Sequence, residues 1–155
     1  MIAVRSSDPK AVAEAIKGPK GSVVAAKSAR GRGIAIAWQK DHGVIVESDD
    51  AKLAERLSKK LGTLCVLAIR YRTSLGHGEL MVFEGGKCVR KIVATEDGTE
   101  LAGKRYPFEV DVFDLDEDDD EPAYSIEADE IEELCAKLAI RVDLGQPAVL
   151  AVVPG

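Results

Sequence analysis

The chain has 155 residues, 46% hydrophobic and 31% charged, and a formal net charge of −6. These values fit one globular domain with a self-sufficient core, and no stretch approaches the roughly 20 apolar residues that span a bilayer. The opening MIAVRSSDPKAVAEAI lacks the apolar run and small-residue cleavage site of a secretory signal. Cys65, Cys88 and Cys135 are widely spaced, and none sits in a CxxC pair. That usage points to reduced, buried thiols and a cytoplasmic protein without membrane attachment.

Asp8-Pro9 opens the first predicted helix, because Asp can cap and Pro suits the first helical position. It runs through Ile16 and stops at Gly18-Pro19. Strands are expected at Ser22–Lys27, Ile34–Gln39 and Val44–Glu47, divided by glycine-containing turns. Ser48, Asp49 and Asp50 offer caps for a second helix, in which Leu53, Leu57 and Leu61 share one face, and Gly62 ends it. Four further strands are expected: Leu64–Tyr71, Glu79–Glu84, Lys87–Ala94 and Tyr106–Phe113. Gly85-Gly86 gives a tight hairpin, and TEDGTELAG (95–103) reads as a longer connection. A third helix spans about Asp129–Ile140, with Ile131, Leu134, Cys135 and Leu138 on its buried face, and a last strand covers Ala148–Val153. The expected fold is therefore α+β: a single domain with a mainly antiparallel, meander-rich β-sheet and three packed helices.

Few motifs carry chemistry. Gly18-Pro-Lys-Gly-Ser22 has its Lys before the Gly, Gly86-Lys87 is followed by Cys88, and Gly31-Arg-Gly33 lacks a third Gly at dinucleotide spacing. All three read as turns. No G-x-S-x-G elbow is present, and two histidines without paired cysteines do not make a zinc site. Asp116, Asp118, Asp120 and Glu127 fall at EF-hand ligand spacing, but Glu121 stands where the loop needs Gly. No motif calls for a metal or cofactor. Two alternative functions rest on particular residues. An enzyme or ligand-binding protein would use the His77 turn, where flanking glycines allow close approach, together with Arg70 and Arg72. Nucleic-acid binding would use the basic stretch Lys20–Arg32, which lacks the aromatics that stack on bases and sits in an acidic chain.

The charge is unevenly spread. Residues 1–108 hold 19 basic and 12 acidic side chains, whereas residues 109–155 hold 2 basic and 15 acidic. The acid peaks in YPFEVDVFDLDEDDDEPAY (106–124), where nine of nineteen residues are Asp or Glu and four are Tyr or Phe. The alternation in FEVDV reads as a half-buried strand with an acidic outer face, bulged near Val112-Phe113, and DEDDDE (116–121) reads as a loop. Acid on an edge strand prevents aggregation. The surplus beyond that need points to a recognition face, since acidic rims speed encounter with basic partners and aromatics anchor interfaces. The reading is a non-enzymatic cytosolic protein that docks a basic protein, such as an immunity or inhibitor protein against a basic nuclease. Its docking residues are Asp114, Asp116, Glu117, Asp118, Asp119, Asp120 and Tyr124.

Overall fold

The computed structural model describes residues 1–18, 21–22, 24–25, 33–145 and 149–153. Its strands are β1 (Ile2–Val4), β2 (Val24–Ala25), β3 (Ile34–Trp38), β4 (Val44–Val46), β5 (Leu64–Arg70), β6 (Gly78–Glu84), β7 (Lys87–Thr95), β8 (Gly98–Gly103) and β9 (Val149–Val153). Its helices are α1 (Pro9–Lys17), α2 (Ala51–Leu61), α3 (Glu109–Phe113) and α4 (Ala128–Lys137). The strands form one antiparallel sheet in the order β2-β9-β3-β4-β1-β5-β6-β7-β8. The expected α+β single-domain fold is observed, with three long helices and the short α3. Of the stretch Lys20–Arg32, only residues 21, 22, 24 and 25 are described, so its basic residues, like much of the strand expected at Ser22–Lys27, lie outside the described residues.

Local chemistry sets the helix ends. Asp8 Oδ1 accepts from the backbone N–H of Lys10 (3.0 Å) and Ala11 (3.3 Å), and Pro9 occupies the first turn of α1. Asp50 caps α2 in the same way, and Gly62 closes it in the left-handed conformation.

Period-two alternation then divides the sheet between two cores. Ile2, Val4, Cys65, Leu67 and Phe83 point to one face and pack under α1 and α2, with Val12, Ile16, Leu53 and Leu57. Ala3, Leu64, Val66, Leu80, Val82 and Ile92 point to the other and pack under α3 and α4, with Val112, Phe113, Ile131 and Leu134. The sheet is thus covered on both faces, and the stretch CVLAI of β5, apolar on both sides, lies between them. The opening IAV, to which the sequence reading assigns no element, is part of the sheet. It forms β1, wholly buried between β4 and β5.

Two sequence expectations fail on one segment. Residues 95–103 form the β7–β8 hairpin, turning at Glu96-Asp97, and are not a long connection. The strand expected at Tyr106–Phe113 is a turn followed by α3. Glu109 N–H bonds Tyr106 O (3.1 Å) and Val112 N–H bonds Phe108 O (3.0 Å), closing helical turns that a strand would leave open. The expected bulge near Val112 lies instead in β7, where Val82 pairs Arg90 and Phe83 pairs Cys88, leaving Val89 unmatched. The insertion moves Arg90 from the face of Met81 to that of Val82, the face covered by α3.

Candidate docking surface

Arg90 meets Glu109 beneath α3. Its Nη2 lies 2.6 Å from Glu109 Oε1 and its Nε 3.0 Å from Oε2, a two-pronged pair with side chains only 4% and 0% exposed. Glu109 Oε1 also accepts from the Tyr124 hydroxyl (2.9 Å), and Oε2 from the Tyr106 backbone N–H (2.8 Å). Arg90 Nη1 donates to Gly103 O (3.1 Å), tying in β8. Gly103 has φ 81°, and a Cβ there would fall 2.1 Å from Val89 O, so glycine lets β8 pass close to the bulge. Tyr106 stacks on Phe108, and Phe113 meets Tyr124 edge-on. The Tyr124 hydroxyl is held above its ordinary pKa first by burial and then by its bond to Glu109.

This network pins both flanks of the acidic loop. Leu115 and Tyr124 are buried, while Asp114, Asp116, Glu117, Asp118, Asp119 and Asp120 are exposed, as is Glu121. Asp114 caps α3 at φ 51°. The loop is locally braced: Asp116 Oδ1 accepts from Asp118 N–H (3.1 Å) and Asp119 Oδ1 from Glu121 N–H (2.9 Å). Such Asx turns fix the backbone while leaving much of each carboxylate toward solvent. Among the described residues, no ion pair reaches residues 114–121.

The end of the loop faces the β7–β8 hairpin across a cleft of about 370 Å³. Its lining includes Asp97, Thr99 and Leu101 on one side and Asp120, Glu121 and Ala123 on the other. Leu101 is 40% exposed there, an apolar contact within an acidic rim. Tyr124 departs from the sequence reading. It is 5% exposed with its hydroxyl spent on Glu109, so it braces the surface from within and cannot be its aromatic anchor.

The same strand ends carry the other candidate. Residues 71–77 turn between β5 and β6, and Ser74, Leu75 and His77 border a cleft of about 290 Å³ with Arg70, Arg72 and Glu127. Ser74 Oγ contacts His77 Nδ1 within the turn. Glu127 Oε1 accepts from Gly76 N–H (2.5 Å), and Oε2 lies 3.6 Å from Arg70, so both oxygens are engaged away from the imidazole. Residue 127 is also the twelfth position of the EF-hand spacing. Among the described residues, no three His, Cys, Asp or Glu side chains converge on a cation site.

Sequence reasoning misses Arg90 and Glu109 as partners. The one local signal, Tyr106-Pro107 with Phe108 and Val112 at helical spacing, bears on α3 alone and says nothing of Arg90. Cys65 and Cys135 are buried and free, but Cys88 is exposed, which corrects its expected burial. Burial pushes the Cys65 and Cys135 thiols up to about 12. No described helix is long and apolar enough to cross a membrane. No family model matches the chain, and neither does any curated protein or solved structure.

Proposed function

We propose that the chain is a non-enzymatic, cytoplasmic docking protein that takes a basic protein partner on the face formed by residues 114–121 and the β7–β8 turn. The supporting observation is the set of exposed, braced carboxylates around a cleft, without an ion-pair partner among the described residues. Charges already neutralised within a protein steer little. Unpaired ones held on a rigid support attract an opposite charge over about 8–10 Å at physiological ionic strength. An inhibitor or immunity protein that neutralises a basic nuclease is the concrete form of this reading.

The test replaces Asp116, Asp118, Asp119 and Asp120 with Asn. A partner captured from the native host is purified, and its association is timed at low and physiological salt. The variant should associate at least about tenfold more slowly at low salt, and the salt dependence should flatten. Wild-type kinetics for the variant at low salt would falsify the docking reading. A second reading, ligand binding or catalysis at the His77 turn, draws support from the cleft shared by Ser74, His77, Arg70 and Arg72. Loss of biological activity in a stably folded His77→Ala protein with unchanged partner binding would put that reading first.

A further inference from the structure

The outer edge of the sheet runs beside the acidic cleft. β8 is last in the strand order, paired with β7 alone, and all but one of its residues are exposed. Thr95 and Gly98 close a two-residue turn, so they exchange backbone hydrogen bonds. Alternation from that pair turns Gly98, Glu100 and Ala102 toward β7. The N–H and C=O groups of Thr99 and Leu101 therefore point away from the sheet. No other described segment bonds them.

Open edges are usually blunted with Pro, with Lys or with covering chain. β8 carries neither residue, and its one charged side chain, Glu100, lies 3.7 Å from Lys91 on the neighbouring strand. Segment 120–123, the nearest candidate for a cover, stands off across the cleft of about 370 Å³.

We infer that the basic partner binds by strand addition: an extended segment rich in Lys or Arg pairs antiparallel or parallel with β8 as a further strand. This rests on the docking reading and adds its mode. Backbone hydrogen bonds to Thr99 and Leu101 hold the segment, and a side chain on one face covers exposed Leu101. Its basic side chains meet Asp97, Asp120 and Glu121 across the cleft. A second copy of this chain is the wrong occupant, because pairing two β8 edges would bring two acidic clusters together.

The probe is a peptide alternating Lys with Val, of about β8's length plus a residue at each end, titrated into the isotope-labelled full chain. Three comparisons are made: the same peptide with its alternate backbone nitrogens methylated, the variant Leu101→Pro, and the quadruple Asn variant. Leu101 N–H faces outward, so Pro there removes a docking donor without removing a bond to β7. If strand addition holds, the unmodified peptide shifts β8 amides, and both methylation (in one of its two phases) and Leu101→Pro weaken it about tenfold or more. The methylated peptides keep the test decisive even if Leu101→Pro disturbs folding. Equal affinity for all peptides, lost only in the Asn variant, overturns strand addition and leaves acidic docking standing. Binding that survives in the Asn variant but is lost with methylation overturns the charge-based docking reading instead. Peptide binding absent at low salt, or a wild-type dimer that Leu101→Pro dissociates, overturns strand addition.

Discussion

Glu109 and the carboxylates of residues 116–121 belong to one acidic run, yet the fold treats them in opposite ways. Glu109 is wholly buried, with four donors converging on its two oxygens from Arg90, Tyr106 and Tyr124. The later acids are exposed, and those that bond do so to neighbouring backbone. A buried carboxylate must be fully satisfied, so its place is fixed by the fold around it. An exposed one is nearly free of the fold, so a surplus of them has to be explained by something outside it. The comparison separates acid that builds the protein from acid available to a partner.

The largest expected effect breaks the first half of that comparison. Glu109→Ala leaves the Arg90 guanidinium buried without its counter-charge and should cost about 3–5 kcal/mol in chemical denaturation. Replacing both, as Arg90→Met with Glu109→Leu, should cost clearly less than the two single changes added together. Additive losses would mean that the pair is not a unit. Gly103→Ala tests the bulge that aims Arg90. Positive φ and the approach of Val89 O make a cost of about 1–3 kcal/mol the expected outcome, read from the same unfolding curves.

How much of this was legible in the sequence depends on how local the deciding contacts are. Asp8-Pro9, Asp50, Gly62 and Gly85-Gly86 act within a few residues, and the elements they bound lie where the sequence puts them. Residues 108–112 satisfy alternation and helical spacing together, and a five-residue helix is too short for periodicity to decide. What decides is the reach of Glu109 to Arg90, 19 residues earlier, which exists only because Val89 is an extra residue. No local pattern announces that. β8 was hidden by its glycines, which read as turn signals although Gly103 is required at the bulge. Exposure of the acidic loop was legible, because repulsion alone keeps such a run in solvent. Tyr124 was not, since an aromatic beside acid can serve a surface or a core equally well.

A smaller effect probes the cores behind the two acidic regions. Cys65 and Cys135 face opposite sides of the sheet, and burial raises both thiols from 9.0 to about 12. The folded state therefore holds these protons more tightly than the unfolded state. Stability is full below pH 9 and declines as pH rises from 9 toward 12, by roughly 1 kcal/mol per thiol per pH unit. Cys135→Ala should remove its own share of that slope, roughly 1 kcal/mol per pH unit, and leave the part due to Cys65 and to the raised tyrosines. Unfolding curves recorded across this range read it directly, and an unchanged slope would show that burial of Cys135 is not its cause. In the folded protein at neutral pH, alkylation should modify Cys88 well before either buried thiol.

The smallest effect belongs to the exposed acids, and it sharpens the comparison most. Changing Asp116, Asp118, Asp119 and Asp120 to Asn keeps side-chain shape and removes four negative charges. Asn retains a carbonyl oxygen, so the turns at Asp116 and Asp119 can still accept from Asp118 and Glu121 N–H. The like charges repel one another, and no described ion pair is lost with them. Stability should therefore stay within about 0.5 kcal/mol of wild type, with any change toward greater stability and largest at low salt. Thermal unfolding at two ionic strengths reads this. A loss comparable to that of Glu109→Ala would mean that the loop acids hold the fold together through contacts of their own. They would then have a structural reason to be there, and their number would no longer point to a partner.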